Sequence, residues 1–217
     1  MPICFDLDGT LGHFASGFVL LREALGELWG GAPTAEDLAR CGGSTDWEIV
    51  DDLHRQRFRR PLDEAGYAAY EAACVSRFRQ AFGPGGRRPV AFPGLLEGLH
   101  RLAVRHPVWV VSGNAPGLLA FKTAALGVDP RIPQLGSLPR HDRPGLLRRA
   151  LEGCPGPHLY LGDRPHDRAA AEAAGIPFLG VGSQVPGPHP VLPEDASADA
   201  VAAAVAGALA PSDSPSR

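Results

Sequence analysis

The chain has 217 residues and a formal net charge of -3 at pH 7, with 21 Lys and Arg residues against 24 Asp and Glu residues. This length allows one large domain or a core with a small insertion. The near-neutral charge gives no reason to expect a nucleic-acid partner, and without a run of about 18 apolar residues we expect no membrane span.

The cysteines and the N-terminus bear on the compartment. Cys4, Cys41, Cys74 and Cys154 are scattered without C-x-x-C spacing, which predicts free thiols in a reducing environment. No basic segment precedes the first apolar residues, so we expect no signal peptide. We therefore predict a cytoplasmic protein. Its oligomeric state stays open between a monomer and a homodimer.

The first predicted element is an apolar strand at residues 2–5, which leads into the sequence DLDGT at residues 6–10. Gly9 permits a sharp turn out of the strand. Asp6 and Asp8 lie two residues apart, so both carboxylates share one side of the pleat unless the strand has begun to unwind. Like charges in one place imply a bound cation or separate acid and base roles.

A helical insertion is predicted after this strand. Apolar residues at helical spacing and two capping boxes indicate its helices, which are predicted at residues 18–29, after Thr34, after Thr45, and at residues 62–82. We assign residues 1–13 and 91–209 to an α/β core, residues 14–90 to a helical cap, and residues 210–217, rich in Ser and Pro, to a disordered tail.

Two further apolar runs, at residues 108–111 and 159–161, predict buried strands with polar residues at their carboxyl ends. The first is followed by Ser112, Gly113 and Asn114, and the second by Asp163 and Asp167. Strands that alternate with helices predict a Rossmann-like parallel sheet with helices on both faces. Ligands of such sheets bind at the carboxyl ends of the strands, where these polar residues are expected to meet.

These three clusters, in this order, resemble the motifs of the haloacid dehalogenase-like (HAD) hydrolases over residues 1–185. The sequence DLDGT matches the first motif, D-x-D-G-T, residue for residue. The resemblance implies a phosphatase-type member with a helical cap of the C1 kind. It implies that Asp6 is the nucleophile, Asp8 the general acid and base, and Ser112 a phosphate ligand.

The resemblance also implies the cofactor and the reaction. Magnesium is expected on the acidic side chains of the first and third clusters, namely Asp6, Asp8, Asp163 and Asp167. Phosphoryl oxygens are expected to contact Thr10, Ser112, Gly113 and Asn114. Family members that cleave carbon–halogen bonds generally lack an acid at the position of Asp8, which favours hydrolysis of a small phosphorylated metabolite through an aspartyl-phosphate. Sugar phosphates, phosphoglycolate and nucleoside monophosphates all stay open as substrates.

The third motif, usually a Lys, is where the chain departs from the family pattern. Arg143 occupies the usual position, before a proline, and an arginine binds phosphate with a planar fork rather than an ammonium. Lys122, the only lysine of the chain, lies on the predicted helix after Asn114 and is the second candidate. A lone lysine on a helix is otherwise a solvated surface residue.

Other functions stay open beside the phosphatase. A phosphomutase of the same superfamily would return the phosphoryl group to a sugar. A degenerate member would bind a phosphorylated ligand without turnover, and the altered third motif is the support for it. A phosphonate hydrolase would need a cap lysine, and residues 14–90 contain none.

Overall fold

A computed structural model of the protein describes residues 1–185, 187 and 189–210. The chain begins with strands β1 (Ile3–Phe5) and β2 (Gly12–His13) and then forms helices α1 (Gly17–Trp29), α2 (Ala35–Ala39), α3 (Asp46–Phe58) and α4 (Glu64–Phe82). It continues with β3 (Val90–Ala91), α5 (Pro93–Ala103), β4 (Val108–Val111), α6 (Pro116–Leu126), β5 (Gln134–Leu135), α7 (Arg143–Ala150), β6 (Leu159–Gly162), α8 (Pro165–Ala174), β7 (Phe178–Val181), β8 (Val191–Leu192) and α9 (Ala198–Ala208). The predicted disordered tail lies outside the described residues except for Ala210.

The main sheet has six strands in the described part of the chain, in the order β5-β4-β1-β6-β7-β8. Every neighbouring pair in it is parallel. Strand β1 lies between β4 and β6, with Phe5 opposite both Val110 and Leu161. The carboxyl ends of these three strands therefore meet at one edge, and the predicted parallel sheet is confirmed.

Alternation along β1 separates two apolar cores. Ile3 and Phe5 belong to the larger core, which also contains Leu99 of α5 and Leu119 of α6. Cys4 points into the smaller core, which is built from residues of β4, α7, β6 and α8. Helices therefore cover both faces of the sheet, as predicted, and the burial of both faces explains why its strands are continuous apolar runs.

The insertion after the first strand is all-helical, as predicted. Thr34 and Thr45 each form the predicted capping box, with Asp37 and Glu48 respectively. Helix α4 begins two residues later than expected, because the side chain of Asp63 accepts from the backbone N–H of Gly66 and caps it. Strands β2 and β3 pair antiparallel at the base of the insertion, close to the proposed cap boundaries at residues 14 and 90.

Two remaining expectations concern the thiols and the membrane. The four cysteines are free, and Cys4 and Cys74 are buried. Across the described ranges, none of the helices has both the length and the hydrophobicity of a transmembrane span.

Candidate active site

The site begins where β1 ends. Asp6 is 4% exposed and its backbone N–H donates to the carbonyl of Leu161 at 2.9 Å. Gly9 has φ +86°, and a Cβ added there would overlap the carboxylate of Asp163, so the turn requires glycine. Because the strand ends at Phe5, Asp6 and Asp8 do not share one side of a pleat: Asp6 is buried, whereas the Asp8 side chain is 36% exposed.

Arg143 reaches Asp6 from the start of α7. The side chain of Asp142 caps this helix by accepting from Gly145 N–H at 2.8 Å, and Pro144 lies in its first turn. Arg143 is thereby held at the N-terminus, and its Nη1 donates to Asp6 Oδ1 at 2.9 Å and to Asp167 Oδ1 at 2.7 Å. Of the two candidates for the third-motif cation, Arg143 is the one that contacts Asp6.

Three carboxylates converge beside this guanidinium. Asp6, Asp163 and Asp167 are buried, and each offers an oxygen within 4.8 Å of the others. Burial and the nearby charge of Asp167 raise the pKa of Asp6, and Arg143 opposes this rise. Burial and Asp167 likewise raise the pKa of Asp163 to about 6. Arg164, whose side chain is half exposed, also pairs with Asp163 at 3.0 Å, so two guanidinium groups face three carboxylates and leave a net negative charge.

The donor set suits a magnesium ion. Carboxylate oxygens are the ligands that Mg²⁺ takes from proteins. Asp163 Oδ1 is buried and has no hydrogen-bond partner among the described residues, so one oxygen of the set is free for a cation. The carboxylate of Asp8 is not among these three, and its Oδ2 accepts from Asn114 and Lys122. Its predicted metal contact stays a prediction.

Tyr160 is a further member of the site, although its position in the apolar strand β6 predicts only a core residue. Its hydroxyl donates to Asp167 Oδ1 at 3.0 Å and accepts from Arg143 Nη1 at 3.2 Å. Burial and the negative charge of Asp167 raise its pKa well above the usual value. The sequence signal for this role was the tyrosine hydroxyl, because a hydroxyl on a buried strand needs a hydrogen-bond partner.

The second motif forms a separate network around Asp8. Asn114 Nδ2 donates to Ser112 Oγ and to Asp8 Oδ2, both at 2.7 Å. Lys122 Nζ donates to Asp8 Oδ2 at 2.7 Å and to Asn114 Oδ1 at 2.8 Å. Lys122 therefore contacts Asp8 rather than Asp6. Thr10 is fully buried, and its hydroxyl has no hydrogen-bond partner in the described part of the chain.

The insertion covers this edge of the sheet. Arg143 Nη2 donates to the carbonyl of Ser44 at 2.9 Å, and Asp46 N–H donates to the carbonyl of Gly113 at 2.7 Å. A Cβ at Gly113 would lie 2.5 Å from the Ser44 oxygen, so glycine allows this close approach. Asp46 Oδ2 also accepts from Ala115 N–H at 2.8 Å. These contacts are invisible in the sequence, since they join residues far apart along the chain.

A family model described as haloacid dehalogenase-like hydrolase matches residues 3–172. With the fold and the motif residues in place, the chain belongs to this family, and its predicted status as an enzyme of the family is confirmed. No curated protein matches the chain significantly.

Solved structures with the same fold share little sequence with the chain. CbbY from Rhodobacter sphaeroides in complex with phosphate has a TM-score of 0.65 at 17% identity, covering 88% of this chain and 92% of its own. A putative β-phosphoglucomutase from Bacteroides vulgatus has a TM-score of 0.64 at 19% identity, with 97% and 90% covered. A predicted phosphoglycolate phosphatase from Haemophilus somnus has a TM-score of 0.56 at 18% identity, with 92% and 89% covered. At these identities the likeness establishes the fold alone.

Proposed function

We propose that the protein is a Mg²⁺-dependent phosphatase that hydrolyses a small phosphorylated metabolite through an aspartyl-phosphate on Asp6. One observation carries the proposal: a buried Asp6 carboxylate, held by the Arg143 guanidinium, lies beside Asp163 and Asp167. A phosphoryl group needs a fixed nucleophile and positive charge on its oxygens, and this arrangement supplies the first and part of the second.

The first half-reaction uses both aspartates of the first motif. An oxygen of Asp6 attacks phosphorus, the bond to the leaving oxygen breaks, and Asp8 gives its proton to that oxygen. The hydroxyl of Thr10, the hydroxyl of Ser112 and the guanidinium of Arg143 bind the phosphoryl oxygens. Thr10 Oγ1 has no other hydrogen-bond partner within the described ranges, which supports its part in this set.

The second half-reaction reverses the role of Asp8. The ionised carboxylate accepts a proton from water, the water oxygen attacks phosphorus, and phosphate leaves with Asp6 restored. Gly113 and Asn114 contribute backbone and side-chain groups that bind the phosphoryl oxygens at the carboxyl end of β4. The insertion excludes bulk water from the buried oxygens, which strengthens these electrostatic contacts.

Asp6, Asp163 and Asp167 would hold the magnesium ion. When bound, it supplies the positive charge that offsets repulsion between these carboxylates and the phosphoryl oxygens. Asp163 Oδ1, which has no hydrogen-bond partner in the part of the chain that the structure describes, is available to it. Asp167 is oriented by Arg143, Tyr160 and the backbone N–H of Arg164.

The remaining parts of the proposal concern partners and compartment. Free thiols, the modest net charge and the lack of a spanning helix among the described residues support a cytoplasmic enzyme with a small-molecule substrate. We propose that it acts as a monomer or a homodimer, without a nucleic-acid or membrane partner.

The test is phosphate release from a panel of sugar phosphates, phosphoglycolate and nucleoside monophosphates, with and without Mg²⁺. Wild type is compared with Asp6→Asn and with a control, Asp199→Asn, which changes an exposed aspartate of α9. Phosphate release that needs both Mg²⁺ and Asp6, and that the control retains, is the expected result.

Two other results would reject the phosphatase. Interconversion of sugar phosphates without net phosphate release would indicate a phosphomutase. The chain shares its fold with the putative β-phosphoglucomutase from Bacteroides vulgatus. Thermal stabilisation by panel members without any turnover would indicate a degenerate binding protein.

A further inference from the structure

Lys122 is a buried lysine with a specific set of partners. It is the only lysine in the chain, and 4% of its surface is exposed. Its Nζ lies 2.7 Å from Asp8 Oδ2 and 2.8 Å from Asn114 Oδ1. A lysine on a solvated helix face would satisfy neither observation, because such a side chain keeps its ammonium in water.

Two aromatic rings enclose the ammonium of Lys122. Its Nζ lies 4.9 Å from the ring centre of Phe78 and 5.3 Å from that of Phe14. Phe78 belongs to α4 of the insertion, and Phe14 follows β2 at its base. An ammonium is attracted to the faces of aromatic rings, so the two rings stabilise Lys122 in this position.

We infer that Lys122 is a positioning residue for Asp8, which fixes the orientation of the acid and base of the reaction and does not bind phosphate. The inference rests on the proposed function and deepens it. In the resting arrangement Lys122 and Asn114 give their hydrogen bonds to the same carboxylate oxygen, Oδ2. Two donors on this one oxygen fix the orientation of the Asp8 carboxylate and leave Oδ1 outside these two hydrogen bonds.

The chemistry of the side chain explains why a chain so rich in arginine has a lysine here. An ammonium is a compact charge with three donors, and two of them are used on Asp8 and Asn114. A guanidinium is planar and larger, with its donors in a fixed fork, so it does not replace a compact ammonium between Phe14 and Phe78 conservatively. Arg143 already supplies the cation beside Asp6, so phosphate binding does not require Lys122.

The experiment separates proton donation from phosphate binding by changing the leaving group alone. Phenyl phosphate and 4-nitrophenyl phosphate have nearly the same shape, but phenolate is the more basic leaving group and depends more on a general acid. The kcat/KM of each substrate is measured with Mg²⁺, since this constant reports phosphoryl transfer to Asp6 even where a later step limits kcat. The enzymes are wild type, Lys122→Met, Asp8→Asn and the double variant.

We expect Lys122→Met to lower kcat/KM by about tenfold more for phenyl phosphate than for 4-nitrophenyl phosphate, as a weakened general acid would. Asp8→Asn should also lower kcat/KM more for phenyl phosphate than for 4-nitrophenyl phosphate. Adding Lys122→Met to Asp8→Asn should lower kcat/KM no further, because both changes act on one group. Retained turnover of 4-nitrophenyl phosphate also shows that the variant is folded. If Lys122→Met does not fold, Lys122→Gln, which keeps a donor, should give the same discrimination in weaker form.

Three results would overturn the inference. Equal losses on both substrates with a raised KM would make Lys122 a phosphate ligand, and no loss on either would leave it a packing residue. A further loss in the double variant would mean that it acts apart from Asp8. Failure of wild type to show Asp6-dependent hydrolysis of 4-nitrophenyl phosphate would instead reject the proposed function, and the inference with it.

Discussion

Replacing Arg143 by Met should destabilise the metal-free protein in a pH-dependent way. The guanidinium donates to Asp6, Asp167, Tyr160 and the carbonyl of Ser44, at 2.7 to 3.2 Å. Methionine has a similar length but leaves the carboxylates without their buried counter-charge. Breaking a buried ion pair on one side costs about 3–5 kcal/mol of unfolding free energy.

Proton uptake limits this loss. The pKa of Asp6 already exceeds its usual value, and Arg143 is the charge that holds it down. Without Arg143, folded Asp6 binds its proton more tightly than unfolded Asp6 over a wider pH range, so stability falls more steeply as pH rises. We expect a deficit of about 3 kcal/mol at about pH 7.5, which corresponds to a Tm lower by about 6–12 °C. At about pH 5.5 the deficit should be smaller, because the proton replaces the missing charge.

Urea unfolding in the presence of a chelator measures this free energy at both pH values. Arg148→Met is the matched control, since it removes an exposed arginine of the same helix that donates to the Ala173 carbonyl. Its stability should stay within about 0.5 kcal/mol of wild type. A loss below about 1 kcal/mol in Arg143→Met, or an equal loss at both pH values, would refute the reasoning about charge compensation.

Three further predictions concern the acidic side chains and the first turn. Asp163→Ala should weaken Mg²⁺ binding by at least about tenfold in calorimetry, and an affinity equal to that of wild type would contradict its place in the metal site. In the metal-free protein the Asp163 carboxyl should contribute a loss of up to about 3 kcal/mol of unfolding free energy between about pH 4 and pH 6, because its pKa rises from 3.8 to about 6 on folding and the folded state therefore holds the proton more tightly. Saturating Mg²⁺ or Asp163→Asn should remove this contribution from the urea-derived pH profile. Gly9→Ala should cost more than about 1 kcal/mol in the same assay, since φ is +86° and the new Cβ meets Asp163; unchanged stability would show that the turn can relax.

The sheet and the positions of the motifs were predictable from local patterns. The apolar runs that form β1, β4 and β6 are buried on both faces, so each is recognisable as a continuous strand without knowledge of its neighbours. Parallel strands then bring their carboxyl ends together, which is why the acidic and hydroxyl residues meet as expected. The capping boxes at Thr34 and Thr45 were equally local signals.

The contacts across the site were not predictable, because they depend on which side chains the tertiary fold brings together. The sequence left Arg143 and Lys122 as alternatives for one cation, whereas the structure gives them different carboxylates, Asp6 and Asp8. Nothing local to Lys122 indicated that Phe14 and Phe78 would enclose it. The contact between Arg143 and the Ser44 carbonyl spans 99 residues and has no sequence pattern.

The short ribbon of β2 and β3 bears on how this architecture can change over evolutionary time. The chain leaves the core at Gly12 and His13 and returns beside them at Val90 and Ala91, in antiparallel register. Because exit and return are neighbours, the intervening helices can be lengthened, exchanged or lost without altering the order of strands in the main sheet. Sequence changes can therefore accumulate in the inserted helices while the strand that carries Asp6 keeps its place in the sheet.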